Sequence, residues 1–591
     1  MPTYKAPLRD MRFMLYELHG GDTLARMPAY ENFTRDLIDP VLDEAAKISE
    51  QVLQPLNRPG DEEGCTFENG VVRTPKGFKE AYNLFRDGGW TSIASDPAYG
   101  GQGAPKSVNL LMEEMICSAN LSFGMYPGLT HGAYTALHAY ASDALKQKFL
   151  PKMVDGTWAG TMCLTEPHCG TDLGMLRTKA MPQDDGSHKI SGTKIFISSG
   201  EHDLTENIIH LVLAKLPDAP KGVKGISLFV VPKFLPKDDG TPGPRNGVAC
   251  ASIEHKMGIK ASSTCVLNFD GATGWLVGEP HKGMRAMFTM MNTERVSVGI
   301  QGLGLAEASY QGAVAYAKER LQGRSLSGTK YPDKPADPLL VHPDIRRMLL
   351  TQRAWIEGCR ALSGWAGKAL DESKHHPDSI VREKADDLIA IITPVIKAFL
   401  TDMAFDVTNM GVQIFGGHGY IREHGMEQFV RDARITQIYE GANGIQALDL
   451  VGRKMPAGFG KNLRQVFHPI SAYIENTIEK DGMAEFIEPL AKAFGRLQQA
   501  TGQIARAGMA KPDEAGAAAT DYLKLMGYSL VAYQWARMAE ISLPKQDDAF
   551  YKAKAQTARF FMERLLPQAT AHFQAVMAGG KTMMAFEDAS F

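Results

Sequence analysis

The stretch Thr161-Met162-Cys163-Leu164-Thr165-Glu166-Pro167-His168-Cys169-Gly170-Thr171-Asp172 separates two kinds of sequence. Pro167 fixes a turn, with hydroxyl side chains and Gly170 close by, so the turn offers backbone N–H groups and hydroxyls to a ligand. Taken alone, the same residues also describe an ordinary strand exit in which Thr and Asp serve the turn. Upstream, from about residue 30 to 160, apolar residues recur at helical spacing, as in Phe33, Leu37, Val41, Ala45, Ile48 and Val52. Downstream, from about 160 to 280, the runs shorten. Ile208-Ile209-His210-Leu211-Val212-Leu213 and Ile226-Ser227-Leu228-Phe229-Val230-Val231, bounded by Asp-Asp-Gly, Ser-Gly and Pro-Gly signals, read as strands. Helical spacing returns after Gly283, through Glu307 to Tyr316 and Lys384 to Gly411, and again beyond Met455-Pro456-Ala457-Gly458. The expected fold is α+β. It has an N-terminal helical domain with an extension (1–159), a middle β domain (160–282), a C-terminal helical bundle (283–455) and an additional all-α domain (456–591).

Two further segments carry chemistry. Ser191-Gly192-Thr193-Lys194-Ile195-Phe196-Ile197-Ser198-Ser199-Gly200 reads as a hairpin-like strand pair with Phe196 and Ser198 on one face, an aromatic wall and a hydroxyl suited to a flat heteroaromatic ring. Glu440 follows the run Ile435-Thr436-Gln437-Ile438-Tyr439 and precedes Gly441, which puts a carboxylate at an element end beside a residue small enough to let substrate approach. On local sequence alone a capping Glu, or one paired with Arg434, is the lesser alternative reading. Residues 235–246 and 325–338, rich in Pro, Gly and Asp, read as surface loops.

At 591 residues the chain is too long for one core, and about three or four packed units are expected. A formal charge of -3 gives no general field for nucleic acid, and the charge beyond Met455 is balanced with no basic stripe, which argues against a DNA-binding role. Seven scattered cysteines, none spaced Cys-x-x-Cys, argue against a disulfide framework or a zinc site and for a reducing compartment. His168, His418 and His424 match no ligand spacing, so no metal is expected. The N-terminus lacks a signal-peptide pattern and no stretch reads as a span of about 20 uninterrupted apolar residues, so a cytoplasmic protein without integral membrane segments is expected.

The first two segments, in this order and spacing, resemble the flavin-binding strands of acyl-CoA dehydrogenases. The resemblance runs collinearly over roughly residues 80 to 455. Tyr99-Gly100-Gly101-Gln102-Gly103 resembles the family's Tyr-Gly-Gly-x-Gly segment, Arg295 and Gly302-Leu303-Gly304 its Arg and Gly-rich helix, and Tyr316-Ala317-Lys318-Glu319-Arg320 its Tyr-Ala-x-x-Arg. Gln413-Ile414-Phe415-Gly416-Gly417-His418-Gly419 resembles the Gln-x-x-Gly-Gly-x-Gly loop, and Arg431-Asp432 through Tyr439-Glu440-Gly441 the Arg-Asp to Tyr-Glu-Gly stretch. This implies FAD as cofactor, with Met162, Leu164, Thr165, Gly170, Thr171, Phe196 and Ser198 around the flavin of one subunit. It implies Arg320, Gln413 and Gly417 from a neighbouring subunit at the FAD pyrophosphate and adenosine, with Ala442 and Asn443 beside the cofactor, hence a homodimer or dimer of dimers. Three departures stand out. Phe196 and Ser198 replace Trp and Thr, Ala442-Asn443 replaces a Thr-Ser type pair, and the aromatic-Gly pair after the adenosine-side Arg is missing, Leu321-Gln322-Gly323-Arg324 running instead into a long loop.

The implied reaction is α,β-dehydrogenation of an acyl-CoA thioester. Glu440 would act as base, its N–H and a ribityl hydroxyl would hold the thioester oxygen, and Arg295 and Gly441 would lie by the substrate, with electron-transfer flavoprotein as acceptor. The segment from Tyr4 to Leu15 and the additional C-terminal domain resemble a long bacterial subgroup that includes 3-methylmercaptopropionyl-CoA dehydrogenases, which makes 3-(methylthio)propanoyl-CoA the leading substrate. Short- and medium-chain acyl-CoAs and an acyl-CoA oxidase remain alternatives.

Overall fold

The computed structural model describes residues 2–591. In chain order come α1 (Leu8–Arg12), α2 (Arg35–Ile48), α3 (Gln54–Glu63), strands β1 (Thr66–Glu68) and β2 (Val71–Arg73), α4 (Phe78–Asp87), α5 (Lys106–Tyr140) and α6 (Asp143–Val154). Strands follow: β3 (Trp158–Cys163), β4 (Lys179–Pro182), β5 (His188–Ser198), β6 (Asn207–Lys215), β7 (Ile226–Pro232), β8 (Phe234–Pro236), β9 (Pro242–Arg245), β10 (Val248–Ile253) and β11 (Thr264–Val277). Helices then return as α7 (Gly283–Glu319), α8 (Pro343–His375), α9 (Ser379–Phe415), α10 (Met426–Thr436) and α11 (Asn443–Asp449). The last stretch holds α12 (Lys461–Thr477), α13 (Ala484–Ala510), α14 (Pro512–Ser542), α15 (Ala549–Phe560) and α16 (Ala569–Ala578). The α, β, α order matches the sequence reading.

Two compact units form. One comprises Lys47–Ala104 and Ala119–Ser297; the other comprises the residues up to Ala46, Pro105–Ser118 and Val298–Phe591. The first, the sheet unit, is built on a seven-stranded sheet ordered β10-β11-β5-β4-β6-β3, with β7 pairing β11 and β6. β6 and β7 are buried almost throughout, which is why both read as continuous apolar runs rather than alternating ones. Two readings need correction here. Residues 191–200 are not a hairpin: they belong to the single strand β5 and its exit, and the break in alternation is a β-bulge. Residues 235–246 are not a plain loop but largely the hairpin β8-β9. The helical N-terminal region also contains a hairpin, β1-β2, turned at Asn69 and Gly70, both with positive φ. Asn-Gly is the pair a two-residue hairpin needs.

In the helical unit, α8 and α9 pack together with α12 and α14 beside them. Charge is buried deep within it. The Arg360 guanidinium of α8, 2% exposed, reaches Glu114 of α5 (2.5 Å), Asp10 of α1 (2.5 Å) and Glu307 of α7 (2.6 Å). Lys554 of α15 adds ion pairs to Asp10 and to Glu357 of α8. Five helices, drawn from both ends of the chain, thus share one ionic network. Ser379–Tyr420 is long and apolar enough to cross a membrane by length and composition, but Lys397 and Asp402 interrupt it and 78% of its apolar window is buried inside the protein. A core helix accounts for that composition.

Candidate active site

In the sheet unit the segment after β3 is anchored by its own glutamate. Glu166, 3% exposed, accepts hydrogen bonds from the Lys194 ammonium (2.8 Å), the Thr178 hydroxyl (2.6 Å) and the backbone N–H groups of Arg177 (2.7 Å) and Thr178 (3.0 Å). Burial pushes the Glu166 carboxyl up, but Lys194 and these donors outweigh it and hold the group below its ordinary range. Lys194 also donates to Leu164 O (2.9 Å), and Ile195 N–H to Thr165 O (2.9 Å), so the β3 exit is fastened to β5. There β5 bulges. Ile197 pairs with Cys265 and Lys194 with Leu267, and Phe196, in the left-handed region (φ 57°), is 60% exposed. A bulge re-aims a side chain that regular alternation would send elsewhere. Thr165 and Ser198 are half-buried and Gly170 and Thr171 exposed around it, while Met162 and Leu164 pack on the apolar core below. Arg295 is buried on α7 and donates to Asn292 Oδ1 (3.3 Å). Its neighbour Glu294 closes on α5, where a Cβ on Gly132 would collide with the Glu294 carboxylate and Met290.

In the helical unit Glu440 sits in the turn between α10 and α11 with a left-handed backbone (φ 58°), and Gly441 follows at φ 89°. Such a conformation costs a non-glycine residue about 1 kcal/mol or more and persists only where its surroundings over-determine it. They do. Gln446 Nε2 donates to Glu440 O (3.1 Å) and Gly441 O (3.2 Å). The Asn443 amide donates to Thr401 Oγ1 (2.9 Å) and Asp402 Oδ1 (2.7 Å) of α9 and accepts from Lys397 (2.9 Å), and Gln437 donates to Asp402 (2.8 Å). The Asn443 side chain is thereby turned onto α9, and Ala442 is half-buried beside it. Arg434 donates to Gln437 Oε1 (3.2 Å).

The other carried-over residues converge at the ends of α7 and α9. Tyr316 stacks on Phe415 (4.0 Å between ring centroids) and its hydroxyl meets His418 Nδ1 at 2.7 Å, which brings the Arg320 end of α7 to the Gln413–Gly417 loop. Arg320, Gln413 and Gly417 are exposed. A Cβ built on Gly416 or Gly417 would meet no atom within 4 Å, so the backbone there is open to a close ligand. Within the sheet unit, an outward aromatic on a strained bulge beside a hydroxyl-bearing turn suits a flat ring system; within the helical unit, an Arg beside open glycines suits a diphosphate. Glu166, His168 and Cys169 present ligand atoms within 4.8 Å of one another, but Lys194 already holds Glu166, and His168 Nε2 meets Met175 O at 3.0 Å.

Sequence reasoning missed Lys194 and Glu294, and treated Glu166 as part of a turn rather than as its anchor. The signal for Lys194 was a lone lysine at a burial-phase position of a strand; for Glu294 it was an acid directly beside Arg295.

Four family models match in order. They are the acyl-CoA dehydrogenase N-terminal domain (39–157), middle domain (161–272) and C-terminal domain (281–455), then an acetyl-CoA dehydrogenase C-terminal-like domain (468–587). The chain belongs to the acyl-CoA dehydrogenase family and is a FAD-dependent oxidoreductase with acyl-CoA dehydrogenase activity. It is 42% identical over 588 residues to 3-methylmercaptopropionyl-CoA dehydrogenase of Ruegeria pomeroyi, covering 98% of this chain and 99% of that one. It is 37% identical over 589 residues to a butyryl-CoA dehydrogenase of Syntrophomonas wolfei, covering 95% of each. An acyl-CoA dehydrogenase of Bacillus anthracis, solved in complex with FAD, shares the fold at a TM-score of 0.69 and 21% identity, covering 85% of this chain and 82% of that one.

Proposed function

We propose that the protein dehydrogenates 3-(methylthio)propanoyl-CoA across Cα and Cβ, with Glu440 removing the α-proton. The single observation behind this is the turn of Glu440. A carboxylate-bearing residue is held in a left-handed conformation by Gln446 and by a hydrogen-bonded brace to α9, next to Gly441 at φ 89°. Bound FAD supplies the hydride acceptor that no side chain can provide. The N–H of Glu440 polarises the thioester oxygen and so acidifies the α-proton that its carboxylate takes. Arg295 orients the base or the CoA, and Gly441 admits the acyl chain. Met162, Leu164, Thr165, Gly170, Thr171, Phe196 and Ser198 hold the ring system; Arg320, Gln413 and Gly417 hold the diphosphate from a second copy in a homodimer, with Ala442 and Asn443 backing the cofactor.

The substrate assignment draws on the 42% relative, and the 37% butyryl-CoA relative favours short straight-chain thioesters as the second reading. Electron-transfer flavoprotein is the proposed acceptor and the cytoplasm the proposed location. Anaerobic bleaching of the purified yellow protein by a thioester panel tests substrate, and rapid hydrogen peroxide production in air would make it an oxidase instead. Glu440→Gln keeps FAD and binds acyl-CoA but bleaches about 10³-fold more slowly. Normal bleaching by that variant moves the base elsewhere.

A further inference from the structure

Lys397 stands at the middle of α9 and is wholly buried. An ammonium held out of water persists only where it is hydrogen-bonded or paired, and a methionine would fill the same volume without that cost. The Lys397 ammonium donates to Oδ1 of Asn443 (2.9 Å), the residue that closes the Glu440 turn. Lys397, Ala398, Thr401 and Asp402 lie on one side of α9 by their spacing, and all four meet that one side chain. Asn443 Nδ2 donates to Asp402 Oδ1 (2.7 Å), Thr401 Oγ1 (2.9 Å) and Ala398 O (3.1 Å). Thr401 gives its hydroxyl proton to Lys397 O (2.7 Å), so towards Asn443 it serves as an acceptor.

An amide has a donor end and an acceptor end. Here a carboxylate meets the first and an ammonium the second, so the two charges specify one orientation. Turned end for end, the amide would set its N–H groups against the Lys397 ammonium and its oxygen against the Asp402 carboxylate. That orientation reaches Glu440 through the turn itself. Asp402 Oδ1 also accepts from the Gln437 side chain (2.8 Å), and Asn443 N–H donates to Gln437 O (3.1 Å). Gln437 and Asn443 are thus gripped together, and Glu440, midway between them, takes the left-handed backbone (φ 58°). We propose that Lys397 is a positioning residue: by fixing the Asn443 amide it holds the Glu440 turn in its left-handed form and so sets the rate of α-proton removal. The inference rests on the reading of Glu440 as the base.

The test uses the full-length, FAD-loaded protein and the thioester that bleaches the parent fastest, with the variants Lys397→Met, Asn443→Ala, their combination, and Glu440→Gln. Hydrogen exchange over residues 437–446 runs about tenfold faster in Lys397→Met and stays at the parent rate in Glu440→Gln. Anaerobic bleaching by Lys397→Met is about tenfold slower at unchanged KM. Asn443→Ala reads the same device from its other side and gives both effects without touching the lysine. In the double variant Lys397→Met adds no further slowing, because its path to Glu440 is already cut. Unchanged exchange in Lys397→Met overturns the inference. So does multiplication of the two effects in the double variant, which would send Lys397 along another route. Fast exchange with normal bleaching overturns it too, leaving Lys397 a packing residue only. Normal bleaching by Glu440→Gln is a separate failure, which removes the base assignment and this inference with it.

Discussion

Glu166 in the sheet unit and Glu114 in the helical unit are almost equally buried, 3% and 1% exposed, and are stabilised by opposite means. Glu166 stands at a strand exit where backbone N–H groups are free to donate, and with these and Lys194 its carboxyl is held below the ordinary range. Glu114 lies inside a helix bundle whose backbone donors are already used within the helices. Only a side-chain cation can reach it, Arg360, which it shares with Asp10 and Glu307, and burial wins, pushing its carboxyl above the ordinary range. Sheet edges solve buried charge locally; helical bundles need partners from distant sequence.

Removing the shared cation is the most severe way to break this contrast. Arg360→Leu strands Glu114 and Glu307, leaving Asp10 to Lys554, and should cost about 3–5 kcal/mol in urea unfolding. A loss under about 1 kcal/mol would mean that the carboxylates simply take up protons. Lys194→Met should cost less, roughly 2–3 kcal/mol, because Thr178 and the backbone donors still serve Glu166. It should also lower the FAD content of the purified protein, since Lys194 ties the β3 exit to the Phe196 bulge; full FAD content would detach the two.

A milder perturbation is pH. Burial, with Lys233 nearby, pushes His202 and His210 of the sheet unit down to about 3. A base whose folded value is lowered contributes full stability above its unfolded value near 6.5 and loses it as pH falls towards 3. At pH 6 the sheet unit should lose about 0.8 kcal/mol for each histidine. The raised Glu114 acts in the other direction, favouring the folded helical unit as pH falls through its folded value. Hydrogen exchange at pH 6 against pH 7.5 should therefore show faster opening in β6 than in α8; equal acceleration would erase the distinction. The smallest effect concerns the brace under Glu440. Asp402→Asn keeps the fold within about 1 kcal/mol but lowers kcat about fivefold at unchanged KM. A change confined to KM would show that the brace serves substrate binding instead.

The sequence was most informative where structure is periodic. The runs 208–213 and 226–231 became β6 and β7, and the helical spacing after Gly283 became α7 to α16. It was silent where a local defect or a distant partner decides. The bulge at Phe196 adds one residue to a strand, which alternation alone cannot distinguish from a turn between two strands. Lys194 finds Glu166 only once β5 lies beside the β3 exit, and Arg360 finds Asp10 across 350 residues. Asn69-Gly70 was different: the hairpin signal was there to be read, in a region whose dominant spacing was helical. Glu440 was singled out through neighbouring motifs, while its left-handed backbone is visible only in three dimensions.

Lys554 also orders events in time. A ribosome releases Asp10 early and Lys554 some 540 residues later, so the first helix emerges carrying a carboxylate whose ammonium partner does not yet exist. That pairing closes only after residue 554 has emerged, and a nascent chain stalled before it keeps the seam open to solvent and to chaperones.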